Sequence, residues 1–302
     1  MRKTEIKMEF NKILSEKIKE VEDIIYEYLP EEDGKQATVM AAMNYSVKAG
    51  GKRLRPLFML EFNRLFGGDD EEVKPFMAAM ECIHTYSLVH DDLPEMDNDE
   101  LRRGIPTTHV KYGQAMAVLA GDGLLNYAYE IISDAIISSS TPYKAAIAFN
   151  ILSRNAGIYG MIGGQTVDVE SVNGINDKET LDFIYELKTG ALIKASMMIG
   201  ALLGGADEEQ IEIVEGIADK VGMAFQIQDD ILDVSSSTDE LGKPVHSDDK
   251  NNKFTYVSLL GISDAKEFVS VLSEAAIKDL RDIGLESEFL EELIYYLINR
   301  KN

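Results

Sequence analysis

The chain has 302 residues, and 53 Asp plus Glu against 30 Lys plus Arg leave a formal net charge of -23. That balance argues against nucleic acid or an anionic membrane as a partner, because both are met by extended basic surface. Hydrophobic residues at 45% and charged residues at 27% are ordinary globular proportions, enough for a sizeable core and a poor match to disorder.

The first twenty residues mix both charge signs and hold no apolar run of the signal-peptide kind, and no 18-residue apolar stretch is expected further along. From Phe10, the residues Ile13, Leu14, Ile18, Val21, Ile25 and Tyr28 recur at steps of three and four, so they share one face of a helix that Pro30 and Gly34 close. Gly50, Gly51, Lys52, Arg53, Leu54, Arg55 and Pro56 then form a Gly-rich turn with three cations, directly before a helix expected to run from Leu57 to Phe66 and to stop at Gly67 and Gly68. Cations and backbone amides in such a turn suit an oxyanion such as phosphate. It is no Walker A loop, since the upstream glycine and the Ser or Thr after Gly-Lys are absent.

Met77 to His90 reads as an apolar helix, and Pro94 disfavours its continuation through Leu93. Within it lies Cys82, the single cysteine, which rules out an intramolecular disulfide framework and gives no hint of an oxidising compartment; a cytoplasmic protein is expected. Thr141 and Pro142 read as the N-cap and first residue of another helix, and Asp177 with Thr180 opens a further one. Strand-like alternation is hard to find, proline is sparse at 7 residues, and neither a fixed-period repeat nor a low-complexity linker interrupts the chain. An all-α chain of ten or more helices in a single domain, 1–302, follows.

Two dense acidic clusters stand out. The first is Asp91, Asp92, Leu93, Pro94, Glu95, Met96, Asp97, Asn98, Asp99 and Glu100, at the C-terminal end of an apolar helix, where the macrodipole disfavours negative charge and a cation should offset it. No registration from Asp92 or Asp97 gives an EF-hand loop with glycine at position six. In the second, Gln226, Asp229, Asp230 and Asp233 are spaced i, i+3, i+4 and i+7, so a helix projects them from one face, beside the apolar Phe225, Ile227, Ile231 and Leu232. A solvated acidic face would account for either cluster alone. Mg²⁺ ions, held by carboxylates and in turn holding a diphosphate, account for the carboxylates and the basic turn together.

The ordered motifs GGKRLRP, HTYSLVHDDLPEMDNDELRRGIPTTH (84–109), GGQTVDV (163–169), KTGAL (188–192), FQIQDDILD (225–233), LGKP and NNKFTY cover most of the chain. Together they resemble the trans-prenyltransferases, or polyprenyl diphosphate synthases, of the bacterial farnesyl diphosphate synthase type. The resemblance implies an isoprenoid-synthase-type helical bundle around a deep central pocket, with two aspartate motifs facing each other at its mouth. It makes Asp91, Asp97 and Asp229 the strongest direct Mg²⁺ ligands, with Asp92, Asp230 and Asp233 as ligands or their supports, and Mg²⁺ the cofactor at three ions per active site. It assigns Gly51, Lys52, Arg55, His84 and Arg103 to isopentenyl diphosphate, and Arg102, Lys188, Thr189, Gln226, Lys243 and Lys253 to the allylic diphosphate. Lys188, Thr189 and Gln226 would also offset the allylic cation formed when the C–O bond ionises, before the isopentenyl double bond attacks and a proton is lost to diphosphate. His84 lies two turns before Asp91 and therefore on its face of the helix.

Tyr86 lies five residues before Asp91, about 7.5 Å of helical rise away. In the resemblance a bulky residue there, followed here by Ser87, limits the growing chain and points to a C15 product, farnesyl diphosphate. Geranylgeranyl diphosphate synthesis (C20) is the alternative; terpene cyclisation and a noncatalytic partner subunit fit the intact aspartates less well. A homodimer without stable membrane association completes the expectation.

Overall fold

A computed structural model describes residues 2–171, 177–235 and 254–300, and these are helical almost throughout. Short polar side chains open several of the helices. Asp69 accepts from the Glu71 amide at 3.0 Å, Asp177 from the Thr180 amide at 2.9 Å and Ser287 from the Leu290 amide at 3.2 Å, each satisfying a donor that the first helical turn leaves unpaired. Pro142 is the first residue of its helix, where its missing N–H costs nothing.

The chain divides into two compact units, Met1–Leu60 with Asp69–Ile147, and Glu61–Gly68 with Ala148–Asn302. The first contains α1 (Arg2–Glu27), α2 (Ala37–Lys48), most of α3 (Leu54–Leu65), α4 (Asp70–Asp91), a two-stranded hairpin of β1 (Leu101–Arg102) and β2 (Ile105–Pro106), α5 (Thr108–Tyr112), α6 (Gln114–Ser138) and the start of α7 (Pro142–Ala156). The hairpin pairs Leu101 with Pro106 and Arg102 with Ile105, and it is the only sheet among the described residues. Helix α4 is the core element, with Val73, Phe76, Met77, Met80 and Ile83 buried, and α6 is its main partner. Ala117, Ala120, Leu124, Ala128 and Ile132 recur at three and four along α6 and are buried as one stripe. Each large apolar side chain so buried contributes about 1.5–3 kcal/mol. Together they make the end of α4 a firm platform for what it carries.

The second unit contains α8 (Met161–Ser171), α9 (Lys178–Ile184), a π-helical turn (Tyr185–Gly190), α10 (Ala191–Gly204), α11 (Glu208–Ser235), α12 (Tyr256–Leu260), α13 (Ile262–Asp282) and α14 (Glu288–Asn299). Helix α11 packs on α13, α10 and the π turn, and Leu181, Ile184, Tyr185, Ile227, Ile231, Tyr256 and Val269 form a buried cluster around it. The expectation that no apolar run reaches membrane-spanning length needs correction. Lys178–Gly204 passes that test by length and composition, but 72% of its most apolar window is buried within the protein, as a core helix would be.

Candidate functional site

In the first unit, α4 ends at Asp91, and the Leu93 and Asp91 carbonyls turn the chain back on itself. Leu93 accepts from the Met96 and Asn98 amides at 2.9 and 3.0 Å, and Asp91 accepts from the Asp97 amide at 2.8 Å. Two of the expected metal-binding aspartates, six residues apart, are thereby joined through their backbones, with Asp91 half-buried and Asp97 exposed. Asp92 is 3% exposed. Its carboxylate is bound by Arg102, with Nε 2.7 and 3.0 Å from the two oxygens and Nη2 2.5 Å from Oδ1. The cation required at this helix end therefore comes from the hairpin that follows it. Burial pushes the Asp92 carboxyl upward and the Arg102 hydrogen bonds oppose that shift.

The Gly-rich turn lies in the same unit. Gly51 has φ 134°, and a Cβ there would fall 2.6–2.7 Å from the guanidinium of Arg103, so only glycine fits. Lys52 is exposed, and Arg55 Nη1 lies 3.5 Å from Nε2 of His84. Burial, then the charges of Arg55, Arg103, Arg102 and Arg53, hold the His84 pKa well below 6.5, so its imidazole is neutral at pH 7. The structure thus brings Gly51 to Arg103 and Arg55 to His84. Among the described residues, the three non-glycine residues with left-handed backbone are Arg53 (φ 49°) in the Gly-rich turn, Asn98 (φ 54°) in the acidic loop and Arg103 (φ 55°) in the hairpin turn. Such conformations cost free energy and gather at functional sites.

Tyr86 is 6% exposed, its ring edge-on to His90 at 5.8 Å between centroids. Its hydroxyl is buried without a hydrogen-bond partner among the described residues, and burial pushes its pKa up to about 12. Ser87 donates to the His84 carbonyl at 2.9 Å.

In the second unit, Lys188 and Thr189 lie on the π turn, a rare distortion found mostly at functional sites. Lys188 Nζ reaches Asp168 Oδ2 at 2.6 Å, and the Thr189 hydroxyl donates to Gln226 Oε1 at 2.7 Å. The GGQTVDV motif has a packing reason as well, since a Cβ on Gly164 would stand 2.2 Å from the Lys188 backbone nitrogen. Helix α11 runs unbroken through Gln226, Asp229, Asp230 and Asp233, but their surroundings differ. Asp230, 4% exposed, accepts from the Tyr185 hydroxyl at 2.6 Å and from the Tyr256 amide at 3.1 Å. Asp233 is 3% exposed. The Asp229 side chain is 40% exposed and its Oδ1 accepts from Arg300 Nη2 at 2.5 Å. Arg300 itself is buried, stacked 3.9 Å from the Phe225 ring centroid. Lys243 and Lys253 lie outside the described residues.

Sequence reasoning missed Asp168, Tyr185, Arg300 and the role of Arg53. Asp168 stands inside the GGQTVDV motif and was open to notice there; Tyr185 and Arg300 carry no local signal, since their carboxylate partners lie 45 and 71 residues away.

The polyprenyl synthetase family profile matches residues 36–292 and so runs through the Gly-rich turn and both carboxylate groups. The chain is 43% identical over 277 residues to the farnesyl diphosphate synthase of Geobacillus stearothermophilus, spanning 92% of this chain and 93% of that one. It is 38% identical over 297 residues to the farnesyl diphosphate synthase of Escherichia coli, spanning 97% and 99%. The solved structure of a Helicobacter pylori geranyltransferase complexed with magnesium and isoprenyl diphosphate superposes with a TM-score of 0.82 at 34% identity, over 95% of this chain and 96% of that one. In helical architecture, in motif order and over nearly its whole length, the chain belongs to the polyprenyl synthetase family.

Proposed function

We propose that the chain is a prenyltransferase that condenses isopentenyl diphosphate head to tail with dimethylallyl and then geranyl diphosphate, giving farnesyl diphosphate in a Mg²⁺-dependent reaction. The observation that carries this is the interleaving of cations and carboxylates at the end of α4: Arg103 against Gly51, Arg55 beside His84, and Asp91 tied to Asp97.

The donors fit Mg²⁺. They are hard carboxylate oxygens, and among the described residues no three carboxylate, His or Cys side chains converge to cage an ion unaided. Such a set suits a cation that completes its shell with substrate phosphate oxygens and water, as Mg²⁺ does. In the first unit Asp91 and Asp97 would hold Mg²⁺, with Asp92 in support; in the second Asp229 would do so, with Asp230 and Asp233 in support. When bound, Mg²⁺ offsets charge that builds on the departing diphosphate.

Lys52, Arg55, His84 and Arg103 bind the isopentenyl diphosphate group, and neutral His84 contributes a single N–H. Arg102, Lys188, Lys243 and Lys253 bind the allylic diphosphate. As the allylic C–O bond breaks, its electron pair leaves with the diphosphate, and the cations bound to it stabilise that charge. The Thr189 hydroxyl donates a hydrogen bond to Gln226, so its oxygen, the carbonyls of the π turn and the Gln226 amide oxygen present lone pairs to the cation. The isopentenyl double bond then forms the new C–C bond, and the diphosphate takes the proton lost from the adjacent carbon. Water must be excluded throughout, because it would capture the cation.

Tyr86 sets the C15 limit. The chain acts as one domain over 1–302, a reading supported by a family profile that runs without a break through both units. It works in the cytoplasm as a homodimer without stable membrane association. Val118, Leu119, Ile137 and Tyr143 support the dimer as exposed apolar residues of α6 and α7. Incubation with isopentenyl diphosphate, geranyl diphosphate and Mg²⁺, followed by chromatography of the dephosphorylated products, should give a C15 alcohol. Accumulation of C20 would overturn the product assignment, and no Mg²⁺-dependent condensation would overturn the enzyme.

A further inference from the structure

Arg53 is the one cation of the anion-binding turn that faces away from solvent. Its side chain has no exposure, against 2% for Glu81 and 27% for Glu22. Nη1 donates to Glu81 at 2.5 Å, Nε to Glu22 at 3.2 Å, and Nη2 to the Val47 carbonyl at 2.7 Å and the Tyr26 hydroxyl at 3.3 Å. These partners lie on α1, α2 and α4, so one guanidinium fastens three helices to the turn. Burial alone would disfavour the Arg53 charge, and Glu81 together with Tyr26 more than offsets it.

The backbone needs such an anchor. Gly50, Gly51 and Arg53 have φ of 88°, 134° and 49°, an irregular path that no helix or strand ladder maintains. A non-glycine left-handed residue persists only where its surroundings over-determine it, and at Arg53 the four side-chain hydrogen bonds do so. The Arg53 carbonyl accepts from the Leu57 amide at 3.0 Å, so the same residue also opens α3, which carries Arg55 in its first turn. Glu81 is three residues before His84 on α4, and thus one turn from the histidine that Arg55 approaches. Movement of Arg53 against Glu81 would therefore displace Lys52 on one side and Arg55 on the other.

We propose that Arg53 is a positioning residue for isopentenyl diphosphate: clamped by Glu81 and the Val47 carbonyl, it holds the turn so that Lys52 and Arg55 meet the diphosphate, without touching it. This rests on the assignment of the turn to isopentenyl diphosphate made above. Lysine cannot substitute, because one ammonium lacks the planar fork that spans several acceptors at once.

The test separates position from stability. Removing Arg53 alone strands a buried carboxylate, whereas replacing both members of a buried ion pair with apolar residues often preserves stability. In Arg53→Met/Glu81→Met, the KM for isopentenyl diphosphate should rise at least tenfold, while the KM for geranyl diphosphate stays within about twofold and the melting temperature stays near that of the parent. Glu81→Gln keeps an acceptor for Arg53 and provides a second, milder variant, with a smaller rise in the same KM and again none for geranyl diphosphate. Arg55→Ala serves as the control for the turn. If Arg55→Ala raises the isopentenyl KM but the folded Arg53 and Glu81 variants do not, Arg53 is only a core residue and the proposal fails. If Arg55→Ala also leaves that KM unchanged, the assignment of the turn is wrong, and the positioning role falls with it. A rise in both substrates' KM values that tracks the fall in melting temperature would equally reduce Arg53 to a structural part.

Discussion

Arg102 closes on Asp92 through two nitrogens, Nε at 2.7 Å and Nη2 at 2.5 Å from the same oxygen, while Asp97 in the same motif stands exposed. Aspartates that look equivalent in sequence are therefore in different physical situations. One is a buried member of an ion pair, and the other is open to a cation from solution.

This difference predicts opposite consequences for two similar substitutions. Asp92→Asn takes from Arg102 its nearest counter-charge, leaving Asp99 at 3.8 Å, and should cost about 2 kcal/mol of stability. Asp97→Asn should change stability by no more than about 0.5 kcal/mol yet raise the Mg²⁺ concentration needed for half-maximal activity. Urea denaturation of both variants beside a Mg²⁺ titration of rate would show this; equal destabilisation would contradict it.

Tyr86 should respond to its hydroxyl and its ring separately. The hydroxyl is buried without a partner among the described residues, so Tyr86→Phe removes an unsatisfied group and should stabilise the protein by about 1 kcal/mol, with products still C15. Tyr86→Ala removes the bulk and should extend products beyond C15. Radiolabelled product sizing decides the point, and an unchanged profile in Tyr86→Ala would remove Tyr86 from chain-length control.

His84 makes the protein sensitive to acid. Its folded pKa lies well below the 6.5 of the unfolded chain because of burial and four arginines. Between those two values the unfolded state binds the extra proton. The stability that His84 contributes is therefore complete above about pH 6.5 and is lost as pH falls through the folded pKa, by up to about 1.4 kcal/mol per pH unit. Denaturation at pH 7.5, 6.5 and 5.5 should show a shallower acid decline in His84→Gln than in the parent; parallel curves would mean that His84 does not titrate as described.

Asp230 and Asp229 form a further contrast within α11. Asp230 takes two donors, the Tyr185 hydroxyl and the Tyr256 amide, in a buried cluster. Asp230→Asn should therefore destabilise by about 1–3 kcal/mol. Asp229→Asn should destabilise by a similar amount, because it strips the buried Arg300 of its carboxylate, and should weaken Mg²⁺-dependent turnover more, because the Asp229 side chain is 40% exposed. Melting temperatures together with Mg²⁺ dependence of rate test the ordering.

Much of this protein was legible in the chain alone. Helical periodicity, the cap at Asp177, the helix-opening Pro142 and the ordered motifs identify an all-α fold and its family, because they depend on neighbours within a few residues. Spacing also puts Asp229, Asp230 and Asp233 on one stretch of helix. The need for a cation near Asp92 followed from the helix C-terminus, and Arg102, ten residues on, supplies it. What spacing does not reveal is which oxygens are already committed. Asp230 is taken up by Tyr185 and Tyr256, 45 and 26 residues away, and Asp229 by Arg300, 71 residues away. Arg53 reads as one more cation for an anion until Glu22, Tyr26, Val47 and Glu81 close around it. Composition and periodicity determined the helices and the acidic balance, and the ordered motifs the chemical class. Tertiary structure decided which charges act on solution and which on one another, because the strength of a charge depends on burial and on partners that only folding brings within 3 Å.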